Sequence, residues 1–155
     1  MAIIDKNKKP YLADDDDNIF IGLNLPLKRS DGVEGYFASS TTTIEAVKTN
    51  IKNLLLTHTG ERLMQPNLGL NLRDYLFEQF TDDLLLQIQS EINDTIAFWL
   101  PFVQIKKLDI KMDDEYDVGK NKLLIDILFN ITRDPNTLAS VQLEINGSTL
   151  EGGGY

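Results

Sequence analysis

THTGERLMQPNLGLNLRDYLFE, residues 57–78, is the stretch around which the rest of the chain is arranged. It follows an apolar run at helical spacing. Gly60 stands where that run stops, placed to take the left-handed backbone that closes a helix without a Cβ clash. Residues 61–64 read as a short extended segment, and Gln65-Pro66-Asn67 reads as a turn. A second glycine, Gly69, frees the backbone again before Leu72, Leu76 and Phe77 begin another apolar face. The charges within the stretch, Glu61, Arg62, Arg73, Asp74 and Glu78, carry both signs in close succession, as a locally paired surface would.

Upstream of it, Thr42 caps a helix, and Glu45 three residues later completes a capping box. Ile44, Val47, Ile51, Leu54 and Leu55 then share one face. His58, the single histidine, lies near the end of this helix, where a cation is favoured by the dipole; with no cysteine or second histidine it has no metal-binding partner. Before the helix, residues 19–27 alternate loosely up to Pro26 and read as a short edge strand, with a loop over 28–40.

Downstream, Thr81 with Asp82 and Asp83 starts the longest helix, striped by Leu85, Ile88, Ile92, Ile96 and Trp99 and stopped by Pro101. The period then falls to two. Val103 and Ile105, followed by Leu108, Ile110 and Met112, slip phase at Lys106-Lys107, which predicts a bulge. Leu123, Ile125, Ile127, Phe129 and Ile131 alternate cleanly, as do Val141, Leu143 and Ile145 after a turn at Asp134-Pro135-Asn136. The expected fold is α+β: two or three helices on one face of a small, mainly antiparallel sheet with a C-terminal three-stranded meander. A single domain is expected over 19–146. An acidic segment, 1–18, ending in four aspartates, and a glycine-rich tail, 147–155, are expected to be mobile.

A chain of 155 residues with 42% apolar content can bury the core of one domain. A net charge of −9 argues against nucleic acid, whose phosphates call for clustered Lys and Arg. The absence of cysteine excludes disulfides, thiolate metal sites and a cysteine nucleophile. No apolar run is long enough to span a bilayer, and MAIIDKNKKP places its lysines after its apolar residues, unlike a secretory leader. The chain is therefore expected to act where it is made, or in a structure assembled there. No cofactor and no metal site is expected. The acidic runs at 14–17 and 113–117 read as solvated segments.

The pattern T-x-x-G-E-R-x-M-x-P-x-x-G-x-x-L, continuing to L-F-E, resembles the signature of the contractile-tail baseplate wedge proteins, the sheath initiators of bacteriophages. That family is often called lysozyme-like and has relatives in type VI secretion baseplates. Thr57, Gly60, Glu61, Arg62, Met64, Pro66, Gly69, Leu72, Leu76, Phe77 and Glu78 carry the resemblance. The segment 22–27, followed by Ser30-Asp31-Gly32, resembles the family's opening strand and turn, and the likeness runs in order over about 19–145. It implies a structural role in a virion tail baseplate assembled in the host cytoplasm. The implied partners are other wedge proteins, the tail sheath protein, and tube or hub proteins. In the family the end of the long helix carries a Trp-Glu-Pro-Arg-like motif that docks into a helical bundle of wedge proteins. Here Trp99, Leu100, Pro101 and Phe102 occupy those positions, so the implied contact is apolar.

Two further readings concern chemistry and edges. Glycoside hydrolysis would require a carboxyl pair, with Glu61 as acid and Asp74 or Glu78 as partner. Nearby Arg62 and Arg73 favour ionised, structural carboxylates instead, and no catalytic residue is expected. The strand 141–145 is expected at a sheet edge, with Val141, Leu143 and Ile145 inward and Gln142 and Glu144 outward. It carries no proline or lysine to prevent a further strand from adding. The expected function is to anchor in a baseplate and template the first sheath ring by strand addition. The alternatives are a peptidoglycan-degrading tail component, or the equivalent part of a bacterial contractile injection system.

Overall fold

Capping and periodicity produce two helices, and a two-stranded and a three-stranded antiparallel sheet complete the computed structural model. It describes residues 21–24, 37–40, 42–79, 81–113, 122–132 and 134–146. The expected mobile segments 1–18 and 147–155 and the acidic run after Asp113 lie outside these residues.

The first strand, β1 (Gly22–Leu23), pairs with β2 (Ser39–Ser40), so the end of the segment read as a loop is a strand. Helix α1 (Thr43–Leu56) begins where Thr42 Oγ1 accepts the Glu45 N–H at 3.3 Å; only this half of the expected box forms. Val47, Ile51, Leu54 and Leu55 are buried on one side of it. Helix α2 (Asp82–Trp99) begins the same way, with Thr81 Oγ1 accepting the Leu84 N–H at 3.2 Å. Its buried stripe is Leu84, Ile88, Ile92 and Ile96, an i, i+4 row that places Leu84 rather than Leu85 in the core.

Strands β3 (Val103–Asp113), β4 (Lys122–Ile131) and β5 (Asp134–Asn146) form a meander in the order β3-β4-β5. The register shifts between Ile105 and Lys107, as the phase slip at Lys106-Lys107 predicts. Asp134-Pro135-Asn136 does not make the second turn. Ile131 already pairs with Asp134, and these three residues lie inside β5. Phe129 next pairs with Ala139, so residues 135–138 stand opposite Asn130 alone. A proline is tolerated there because β5 is an edge strand and its start is irregular.

Leu123, Ile125, Ile127 and Phe129 on β4 are fully buried, flanked by Ala139, Val141, Leu143 and Ile145 on β5. Helix α1 packs against β5 and α2 against β3, and the apolar faces form one core. Leu124, Asp126 and Leu128 occupy the opposite face of β4. The helices and the inner sheet face are thus the two layers around the core.

A 3₁₀ turn (Asp74–Phe77) joins the motif stretch to α2 and buries Tyr75 and Leu76. Gln87 Nε2 donates to the Tyr75 hydroxyl at 3.3 Å, and burial, with the Glu91 carboxylate beside it, pushes the phenol up to about 12 from its usual 10. The folded state therefore holds this proton more tightly than the unfolded chain. The resulting stability is complete below pH 10 and is lost as pH rises towards 12. Tyr75→Phe is expected to flatten the fall in melting temperature over that window, and an unchanged alkaline limb would refute the linkage.

Candidate functional site

Three features recur in the sequence reading: the motif stretch, the end of α2, and the outer edge of β5. In the motif stretch the helix ends earlier than Gly60. Thr57 is the C-cap, at φ −78° and ψ 125°, and its hydroxyl donates to Asn53 O at 2.6 Å alongside its own N–H at 3.1 Å. Gly60 acts three residues later. Its φ is +89°, and its N–H donates to Pro66 O at 2.7 Å, closing a loop. Within the segment expected to be extended, residues 62–65 form a turn instead, with Gln65 N–H reaching Arg62 O at 3.1 Å. The turn at Gln65-Pro66-Asn67 forms as expected, with Leu68 N–H on Gln65 O.

Gly69 is where two backbone segments cross. Its φ is +109°, and a Cβ on it would stand 2.1 Å from Thr57 O, the same oxygen that accepts the Leu70 N–H at 2.9 Å. Thr59 N–H, donating to Asn71 Oδ1 at 3.1 Å, braces the crossing from the other side. Leu70 and Leu72 are thereby held in the core.

The charges do not form the expected mutually paired set. Glu61 accepts the backbone N–H of His58 at 3.1 Å, and Arg62 donates to Asn53 Oδ1 at 3.2 Å. Asp74 faces His58 Nε2 at 3.7 Å, while His58 Nδ1 lies 2.9 Å from Thr59 O. Arg73 and Glu78 enter no ion pair among the described residues, and His58 stands beyond the helix cap. Glu61 thus bonds to backbone and Asp74 approaches a histidine, and neither is paired with an arginine among the described residues. Phe77 also departs from expectation: it is 79% exposed, while Leu72 and Leu76 are buried.

For bond-breaking chemistry this arrangement is poor. A glycosidase acid requires an apolar pocket that keeps its proton, whereas Glu61 is exposed and accepts a hydrogen bond. A cleft beside the motif stretch is lined by Leu55, Leu70, Leu72 and Ile145 together with His58 and Arg73, and does not include Glu61.

At the end of α2, Trp99 and Leu100 are half-buried against the core, Pro101 is exposed, and Phe102 is 40% exposed. Phe98, which the sequence reading passed over, stands edge-on to Trp99 with ring centroids 5.1 Å apart. The Phe102 carbonyl accepts from both the N–H and the hydroxyl of Thr132, at 2.9 and 3.0 Å, which fixes this aromatic corner to the end of β4. Phe98 falls on the polar side of the helix, so periodicity gave no reason to select it.

On β5 the expected alternation holds: Val141, Leu143 and Ile145 are buried, Gln142 and Glu144 exposed. Among the described residues β5 pairs only with β4. The other margin, β3, carries the exposed Lys106, Lys107 and Lys111 beside its register shift, while the irregularity of β5 is confined to its first residues. Strand β5 starts beside the aromatic corner and ends at the cleft against the motif stretch, so it connects the other two features along one side of the molecule.

The described residues thus form a small α+β core that presents an apolar corner at the end of α2 and a regular sheet margin along β5. Residues 41–136 match the family model of the baseplate wedge protein gp25, and the chain belongs to that family of contractile-tail components. The baseplate wedge protein gp25 of Enterobacteria phage T4 is 24% identical over 105 residues, covering 68% of this chain and 76% of that protein. A subunit of the anti-feeding prophage baseplate superposes with a TM-score of 0.59 at 25% identity, over 71% of this chain and 83% of that one. A Geobacter sulfurreducens protein described as a tail lysozyme superposes at 0.57 with 26% identity, over 68% and 91%.

Proposed function

We propose that this chain anchors in a contractile-tail baseplate through the aromatic corner at Phe98, Trp99, Leu100, Pro101 and Phe102, and templates the first ring of sheath subunits at the β5 edge. The observation that carries this reading is the contrast between the two margins of the meander. β3 carries a register shift near its start and exposed lysines on either side of it, which discourage further strands, whereas residues 139–146 of β5 pair regularly with β4 and carry neither lysine nor proline. Main-chain groups on that margin provide the affinity, and the alternating outward residues provide the selection. The partners are other wedge proteins at the corner, the sheath protein at the edge, and tube or hub proteins inside the ring. The location is the tail baseplate, built in the cytoplasm of the producing cell. The chain works without a cofactor and breaks no bonds.

The peptidoglycan-cleaving alternative draws on the description of the Geobacter relative, and the exposed position of Glu61 weighs against it. Particles made without this chain are expected to retain a tube but lack an extended sheath, and resupplying the chain should restore it. Purified chain should leave peptidoglycan intact, as should Glu61→Gln. Normal sheaths without the chain, or wall cleavage that Glu61→Gln abolishes, would overturn the proposal. The genes beside this one distinguish a phage tail from an injection system.

A further inference from the structure

The loop between Gly60 and Pro66 carries two side chains that the fold does not use. Leu63 and Met64 are 96% and 95% exposed, the two most open large apolar residues described. Solvated apolar residues are common on surfaces, but these two are adjacent and lie on a loop tied down at every turn. The Gly60 N–H to Pro66 O bond closes its base, and Gln65 N–H to Arg62 O spans its tip. Arg62 is tethered to Asn53 of α1, and Glu61 to the backbone of His58. These bonds hold the loop with its tip away from the domain and leave it little conformational freedom to lose when something closes around it.

We propose that Leu63 and Met64 form an insertion tip that enters an apolar cavity on a neighbouring protein subunit, with Arg62 and Glu61 as its polar rim. This rests on the reading of the chain as an assembly subunit but not on its role towards the sheath. A leucine beside an unbranched thioether fits an apolar cavity of irregular shape. A bilayer is the weaker occupant: the chain bears a net charge of −9, Glu61 adjoins the tip, and two side chains bury too little for stable membrane anchoring. A second copy is weaker too, since the described cleft beside Ile145 has room for little more than a water molecule.

The test compares Met64 in the free chain and in purified particles under dilute hydrogen peroxide, followed by mass spectrometry. One peroxide oxygen passes to the thioether as the sulfoxide, and water is released. Met64 is expected to oxidise readily in the free chain and about tenfold more slowly in particles, because a buried anchor excludes solvent. The double variant Leu63→Gln, Met64→Gln should keep its melting temperature within about 2 °C, since neither side chain packs on the domain. It should enter particles about tenfold less well. Equal oxidation in both states, or normal incorporation of the double variant, would overturn the proposal. So would co-sedimentation with phosphatidylethanolamine–phosphatidylglycerol vesicles that the double variant loses, which would assign the tip to a membrane. Absence of the chain from the particles would overturn it together with the assembly reading, a result distinguishable from equal oxidation.

Discussion

Gly69→Ala is expected to cost about 4 kcal/mol or more, a large share of the stability of an ordinary domain. Two independent effects contribute. An L-residue at a left-handed φ carries about 1–2 kcal/mol of strain. The added carbon would also meet Thr57 O at 2.1 Å, well inside van der Waals contact. Relief requires the two segments to separate, which stretches the 2.9 Å bond from Leu70 N–H to the same oxygen and draws Leu70 and Leu72 from the core. Gly60→Ala is the internal comparison. Its φ is +89°, but nothing lies within 4 Å of the added carbon, so it should cost only the strain, about 1–2 kcal/mol. Denaturant midpoints at matched slopes measure both. Equal losses at the two sites would show that the crossing contributes nothing beyond backbone conformation.

Of Gln142→Pro and Leu143→Pro, the one whose N–H points away from β4 is expected to permit entry into the baseplate and reduce sheathed particles by about tenfold or more, through loss of a ladder donor at the open margin. Gln142 is exposed and lies at the middle of the β5 stretch that pairs regularly with β4, opposite Asp126. Along such a strand alternate N–H groups point to the partner strand and to the free side. Leu143→Pro therefore probes the complementary row. One of the two variants breaks the internal ladder and lowers the melting temperature. The other removes an outward donor and leaves the domain stable. Blocked sheath assembly in the stable variant assigns the defect to the margin. Normal sheaths on baseplates carrying the stable variant would remove the template role.

Much of the architecture could be read from local chemistry. Thr42 and Thr81 announced their helices because a hydroxyl before an apolar period satisfies an otherwise unpaired N–H. The phase slip at Lys106-Lys107 announced the bulge because strand faces alternate strictly. Gly60 and Gly69 both take positive φ, as glycines at the boundaries of apolar periods suggest. What failed were inferences from proximity in sequence to proximity in space. Glu61 and Arg62 are neighbours, yet the turn directs one to the His58 backbone and the other to Asn53. Thr57 closed the helix with its own hydroxyl, a competing cap that the nearby glycine obscured. Asp134-Pro135-Asn136 has the composition of a turn, but pairing of Ile131 with Asp134 forced the reversal two residues earlier. At the site, the alternation of β5 was legible. Phe98 and the Leu63-Met64 tip were not, because exposure of an apolar residue follows from where the backbone places it.

Under the proposed template role, the unequal margins of the meander would give this domain a valence of one in strand pairing. A sheet extended on both sides is an interior link in a growing polymer; one extended on a single side is an end. Each copy fixed in a ring would then supply one starting point, so the number of copies would set the number of rows that begin there. Copies free in solution would satisfy incoming strands without leading anywhere and would act as chain terminators. Over-supply of the chain should therefore be as harmful to assembly as its absence, and the cell must keep its stoichiometry close to the number of ring positions.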